Sequence, residues 1–430
     1  MHLASVNSRK IFRWVEYFYV ATLIFFLTQG PVLSMWFASE KANSQPAIAP
    51  HLATYLLVQL PALILVSRQK FDRSDLVGPI GVLGVFCVWM AATTLWATNG
   101  QHTIVESISL ASTFICGVYI AKRFSLLEKL LIIVVAMQPG LLFSRYAIAQ
   151  HWNMSRSVEG YWVGIYFNRN SLAPVAVVSF ISAITLMYVV YFRKTDKFRI
   201  FKICLLADIA VFALVVVIRT RSNTPFGGLL AGIAVLFFWE GIRRTRFSSA
   251  LHDSRFRLRV YSVFIAIVAL VSVLAIRFQS EILRLFGETV DFNGRSAIWK
   301  YSWNGFLDRP FLGWGWLSAW RSWAFMKMDL WWTVEGVSWS HNAYLDVLLG
   351  GGVLAVVLFF CAVVWGIYRI IPTNVHNPID AWPIAFAFFF LAMSTQESFI
   401  IGNHFLWLIF VAMLTSRATT RMQQDQSSTV

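Results

Sequence analysis

SWSHNAYLDVLLGGGVLAVVLFFCAVVWGIYRI, residues 338–370, sets two opposite characters side by side. From residue 342 to 370 the run is long enough to cross, as a helix, a hydrocarbon core about 30 Å thick. Its mouth carries Ser340, His341 and Asn342, which lipid alone does not select. The stretch therefore reads as a membrane helix with a polar site at its entrance.

Runs of the same kind recur along the chain. Of 430 residues, 58% are hydrophobic and only 13% charged, against about 25% charged in soluble domains. Twelve spans are predicted, at 17–38, 51–67, 75–96, 103–121, 127–148, 163–192, 201–218, 224–241, 259–277, 342–370, 381–397 and 400–416. The fold class is all-α: a polytopic integral membrane protein with a single transmembrane domain over 1–430. No small-residue cleavage site closes the first apolar run, so that run reads as a span that stays in place.

Charge sets the expected orientation. The formal net charge is +15, and most Lys and Arg fall in RQKFDRSD (68–75), KRFSLLEK (122–129), RKTDKFRIFK (193–202), RRTRFSSALHDSRFRLR (243–259) and the termini. Alternate connections thus carry the positive charge, which predicts both termini in the cytoplasm. This distribution argues for membrane orientation and against nucleic acid as a partner. Cys87, Cys116, Cys204 and Cys361 all lie in apolar runs, with no spacing that suggests disulfides or zinc. The polar end, 418–430, reads as a disordered cytoplasmic tail.

One connection differs from the rest. Residues 278–341 form a large predicted outer loop, and nine of the 19 tryptophans fall between Trp299 and Trp339. That content predicts a loop folded onto the membrane surface. Its rings would serve either as an interfacial aromatic belt or as a platform for sugar rings or a lipid head group.

Chemistry-bearing residues gather at the same predicted side. GIYFNRNSLAP (164–174) holds Arg169; IRTRSNTPFGG (218–228) holds Arg219 and Arg221; GRSAIWKYSWNGFLDRPFLGWGW (294–316) holds Arg295 and Arg309. A single arginine at a helix end can snorkel to the interface. Several clusters on the side that ordinarily lacks positive charge point instead to an anion, which guanidinium groups bind in a bidentate way. With Ser340 as helix cap, His341 is expected in the first turn, where the positive dipole end keeps imidazole neutral and fit to accept a proton. Asp208 and Glu106 lie within spans, and Gly350–Gly352 suits close helix packing. No Asp-x-Asp pair, His-Glu-x-x-His, Walker loop or Gly-x-Ser-x-Gly elbow occurs, so no metal or nucleotide cofactor is expected.

GRSAIWKYSWNGFLDRPFLGWGW followed by SHNAYLDVLLGGGVLAVVLFF (340–360) resembles the signature region of the O-antigen ligase and polymerase superfamily. YFNRNSLA and RTRSNTPFGG look like that family's two earlier polar patches, and the similarity runs over about 160–365. It implies a glycosyltransferase of the bacterial cytoplasmic (inner) membrane, taking a polyprenyl diphosphate-linked oligosaccharide as donor at the outer face. A glycan is the acceptor, and a flippase and a chain-length regulator are implied pathway partners. Carried over, His341 is the general base and Arg295 a catalytic holder of the leaving diphosphate, with Arg169, Arg219, Arg221, Arg309 and Asn342 binding substrate. Arg219-Thr220-Arg221-Ser222 replaces the family's serine-arginine or serine-x-serine pattern, which leaves open which arginine contacts the diphosphate. The Gly313–Trp316 stretch with Trp320, and Ser222 with Thr224, look more like exopolysaccharide polymerases of the succinoglycan type. A ligase acting on a lipid A core is the alternative, and a flippase or transporter is the rival from another class.

Overall fold

In hydrocarbon every backbone N–H and C=O must find a partner within the protein, and a helix does this inside one segment. A computed structural model describes residues 2–31, 48–166, 168–192, 196–244, 253, 255–256, 259, 295–322, 325, 337–370 and 378–416. Among these residues regular structure is helical, with one isolated bridge between Arg156 and Trp162. The main helices are α1 (His2–Leu27), α2 (Ile48–Val66), α3 (Pro79–Ala92), α4 (Gly100–Arg123), α5 (Leu126–Ala149) and α6 (Arg169–Phe192). They continue with α7 (Arg199–Thr220), α8 (Asn223–Arg244), α9 (Arg295–Asp308), α10 (Ala343–Ile370), α11 (Ala381–Met393) and α12 (Phe405–Leu414).

Six of these, α4 to α8 and α10, are long and apolar enough to cross a membrane. Apart from Arg259, the expected span at 259–277 lies outside the described residues, as do 278–294 of the expected outer loop and the 418–430 tail. Each other expected span overlaps a helix, but several boundaries move for local reasons. The first helix stops at Leu27 rather than near residue 38, because Gln29 turns left-handed (φ 71) ahead of Gly30 and Pro31. The sixth begins at Arg169, after a buried 3-10 turn at Gly164–Tyr166. The eleventh ends at Met393, which frees residues 394–404 to form a loop.

The core is built round α11 and α12. Every residue of α12 is buried, and it packs against α1, α4, α10 and α11, while α11 packs against α6, α8 and α10. Phe390 and Phe410 stack between them with centroids 4.2 Å apart, an arrangement that adds about 1 kcal/mol beyond burial. Cys87 and Cys116 are buried, whereas Cys204 and Cys361 lie on exposed helix faces. At the end of the bundle away from the site, Arg123 pairs with Glu16 at 2.5 Å and Arg13 with Glu128 at 2.7 Å. These pairs tie α1, α4 and α5 together.

The glycines of α10 do more than allow close packing. Gly352 has φ 67 and ψ −166, so the helix is broken there. The 310–315 turn docks into the break. Trp314 N–H donates to Leu349 O at 2.6 Å, Gly315 N–H to Gly350 O at 3.1 Å, and Val353 N–H to Pro310 O at 2.9 Å. The Trp89 indole donates to Gly351 O at 2.8 Å. Carbonyls and an amide that the break would orphan are thereby satisfied.

Part of the tryptophan-rich segment departs from expectation, while Trp303 and Trp339 are exposed at 48% and 45%. Trp314, Trp316 and Trp320 are 2%, 0% and 3% exposed, so these rings form neither a lipid-facing belt nor an open platform. Trp314 and Trp320 pack edge-on to Phe325, and Tyr301 joins them. These residues form a small core of their own with Ile298 and Phe306 of α9 and Leu349 of α10.

Candidate active site

The N-terminus of α10 is capped by Asn342 rather than Ser340. The Asn342 side-chain oxygen accepts from the backbone N–H groups of Tyr344 (3.0 Å) and Leu345 (3.2 Å), as a helix-capping asparagine does. His341 therefore precedes the helix, in a left-handed conformation with φ 48. Ser340 is locked behind it. Its N–H donates to Asp346 Oδ1 at 2.9 Å, and its hydroxyl meets Ser302 at 3.0 Å and the Trp320 indole at 3.3 Å. Asp346 is 3% exposed, and its second oxygen accepts from Ser398. One buried carboxylate thus holds both the segment leading to His341 and the loop that carries Glu397.

Glu397 is the centre of the cluster. Its Oε1 accepts from Arg295 at 2.5 Å and from the Asn170 amide at 2.8 Å, and its Oε2 lies 3.3 Å from His341 Nδ1. Next to it, Gln396 Oε1 accepts from Arg295 at 3.4 Å and from Thr224 at 3.2 Å. Ser222 donates to Asn170 Oδ1 at 2.6 Å, linking the α7–α8 corner to the same network. The Arg295 and Glu397 side chains are 15% and 12% exposed, and His341 is more open at 29%. A site so arranged keeps its ion pair sheltered and presents the imidazole outward.

His341 Nδ1 has a second suitor. The Trp339 indole N–H reaches it at 3.1 Å. The two partners demand opposite tautomers: Trp339 needs Nδ1 as an acceptor, whereas the Glu397 carboxylate needs an N–H there. Only the second leaves Nε2 free to take a proton. Glu397 therefore favours the basic tautomer and Trp339 opposes it.

The other arginines form a neighbouring group. Arg169 and Arg221 lie over the Tyr161 ring at 5.2 and 5.6 Å, and Arg169 also donates to Arg221 O at 3.5 Å. Arg219 lies 6.0 Å from the Trp162 ring centre, and its carbonyl accepts from Trp162 N–H at 3.1 Å. Asn170 and Ser222 connect this group to Glu397. Arg309 is not part of either group: it stacks on Trp314 at 4.1 Å, one full α9 away from Arg295, or about 20 Å of helix. Among the described residues no three His, Cys, Asp or Glu side chains come together as a metal cluster.

Of the residues singled out in the sequence, the fold brings His341 and Arg295 onto one carboxylate and Arg169 and Arg221 onto one ring. Asn342 stands beside His341 with its oxygen committed to the helix cap. Sequence reasoning missed Glu397, Asp346 as a bracket, and Tyr161. Glu397 left one sign: it is the only charged residue between Asp380 and Arg417.

A chain of apolar helices with a buried ion-pair cluster at one end of the bundle is an integral membrane protein with a built polar site. Residues 209–360 match the O-antigen ligase family. The teichuronic acid biosynthesis protein TuaE of Bacillus subtilis (strain 168) is 21% identical over 394 residues, covering 84% of this chain and 76% of TuaE. Both likenesses agree with the sequence's resemblance to the O-antigen ligase and polymerase superfamily.

Proposed function

We propose that the protein is a membrane glycosyltransferase that polymerises polyprenyl diphosphate-linked glycan units at the outer face of the bacterial cytoplasmic membrane. The observation that carries this reading is the Glu397 carboxylate, which joins a histidine at a helix mouth to an arginine from a different segment. The O-antigen ligase match and a relative named for teichuronic acid biosynthesis support it. The site also sits at helix ends, whereas transporters usually place theirs near the bilayer midplane.

The geometry supports the following chemistry. His341 Nε2 takes the proton of an acceptor sugar hydroxyl, while Glu397 holds Nδ1–H and stabilises the imidazolium that forms. The acceptor oxygen bonds to the anomeric carbon of the donor as the bond from that carbon to the diphosphate oxygen breaks. The diphosphate leaves with the electron pair. Arg295, with Arg169 and Arg219 or Arg221, neutralises the growing charge through fixed guanidinium donors. The reaction as proposed uses neither metal nor nucleotide.

The test compares surface and lipid-linked glycans from cells with the gene intact, deleted, or carrying His341→Ala or Arg295→Lys. Both variants are expected to insert normally and to lose polymer, the lysine because one ammonium cannot reproduce the arginine fork. Single repeat units building up on the carrier identify a polymerase. Full-length glycan stranded on the carrier identifies a ligase, and unchanged glycans in the deletion strain overturn the reading.

A further inference from the structure

Like charges repel, so three arginines on one corner need something to hold them before an anion arrives. The 155–164 segment supplies it. Ser157 N–H donates to Tyr161 O at 2.9 Å, Tyr161 N–H to Ser157 Oγ at 3.2 Å, and Gly160 N–H to Ser157 O at 2.9 Å. Val163 and Gly164 N–H both donate to Ser155 O, and Trp162 N–H ties the segment to the end of α7 through Arg219 O. The backbone on both sides of Tyr161 is therefore held, and its ring is half-buried. Arg221, the C-cap of α7, takes a left-handed backbone (φ 44) that a non-glycine residue adopts only when its surroundings impose it. Its guanidinium carbon lies 5.6 Å from the Tyr161 ring centre, and that of Arg169 lies 5.2 Å from the same centre.

We infer that Tyr161 is a positioning residue, its ring gathering Arg169 and Arg221 into one pair set for the two phosphates of a lipid diphosphate. This rests on the proposed donor. The π face attracts both cations and offsets their repulsion, and the Arg169 contact with Arg221 O adds a second link. Two guanidinium forks gathered on one ring suit a diphosphate better than a monophosphate, because each phosphate then has its own bidentate partner. The assignment also selects Arg221 over Arg219. Arg219 faces the Trp162 ring instead, outside the pair.

The experiment measures binding of geranylgeranyl diphosphate and geranylgeranyl monophosphate to the purified full-length protein in detergent. Wild type, Tyr161→Phe, Tyr161→Leu and Tyr161→Met are compared, with a thermal unfolding midpoint for each. The phenylalanine variant keeps the π face and is expected to bind like wild type. Leucine and methionine keep apolar bulk without it and are expected to bind the diphosphate about tenfold more weakly, with little change toward the monophosphate. Packing alone would not separate phenylalanine from methionine in this way. Diphosphate binding by either folded leucine or methionine variant at wild-type strength overturns the role of Tyr161 and leaves the proposed function standing. Failure of the wild type to bind geranylgeranyl diphosphate overturns the donor assignment, and the inference with it.

Discussion

Glu397 accepts from Arg295 and Asn170 and faces His341, so its removal acts on orientation and charge together. Glu397→Gln keeps the shape but can no longer select the His341 tautomer. Glycan transfer is expected to fall about 10²- to 10⁴-fold, the range seen when a base loses its orienting carboxylate. Trp339→Phe should behave in the opposite sense, holding or raising the rate, since it removes the competing donor to Nδ1. Initial rates of glycan transfer in membranes, with protein amount matched by immunoblot, check both. A Trp339→Phe variant as inactive as Glu397→Gln would sink the tautomer argument. At this scale His341 and Arg295 were legible in the sequence, because polar residues at the mouth of an apolar run or beside a family motif stand out. Glu397 was not, because it sat in a stretch whose hydropathy reads as span from 381 to 397. Nothing in that stretch announces that α11 ends at Met393.

At the scale of elements, the broken helix α10 is the device that sets the site. Gly352 sits at φ 67, and a Cβ there would lie 2.2 Å from Phe311 O. Gly352→Ala must therefore bear both the backbone strain, about 1–3 kcal/mol, and a backbone clash that no rotamer relieves. It is expected to lower the thermal unfolding midpoint and to weaken transfer, since the 310–315 turn continues from α9 and Arg295. Gly84→Ala in α3 is the control. Its added Cβ would meet Phe114 at 4.0 Å, and alanine favours the helix by about 1 kcal/mol. Equal midpoints for the two variants would show that the break tolerates a side chain. The existence of these helices was legible from apolar run length, whereas their ends were not. Ser340 and Asn342 are both good caps, and the choice between them was made by Ser302 and Trp320, which engage the Ser340 hydroxyl and leave the cap to Asn342.

At the scale of the molecule, the two ends of the bundle are polar and the middle is apolar, and the end away from the site holds a group sensitive to pH. Asp380, just before α11, is 7% exposed, and burial pushes its carboxyl up to about 7 despite the helix N-terminus beside it. A raised carboxyl contributes its full stability below its ordinary value near 4, and that contribution is lost as pH rises toward 7. The loss is at most about 1.4 kcal/mol per pH unit. The unfolding midpoint in detergent should therefore drop more between pH 5 and pH 8 for wild type than for Asp380→Asn; parallel curves for the two proteins would refute the assignment. The amino-acid sequence by itself determined the all-helical membrane class, the clustering of arginines with one histidine, and the resemblance to O-antigen ligases, because run length, charge and motif spacing are local properties. Tertiary structure alone decided that Glu397 joins His341 to Arg295, that Tyr161 receives two arginines, that Arg309 stands apart, and that tryptophans of the 314–320 segment are interior. The Glu397 bridge and the meeting of Arg221 with Tyr161 depend on residues tens to about a hundred positions apart coming together in space, and no local pattern encodes such a meeting. It arises only when the apolar helices pack round α11 and α12 and bring their polar ends to one face.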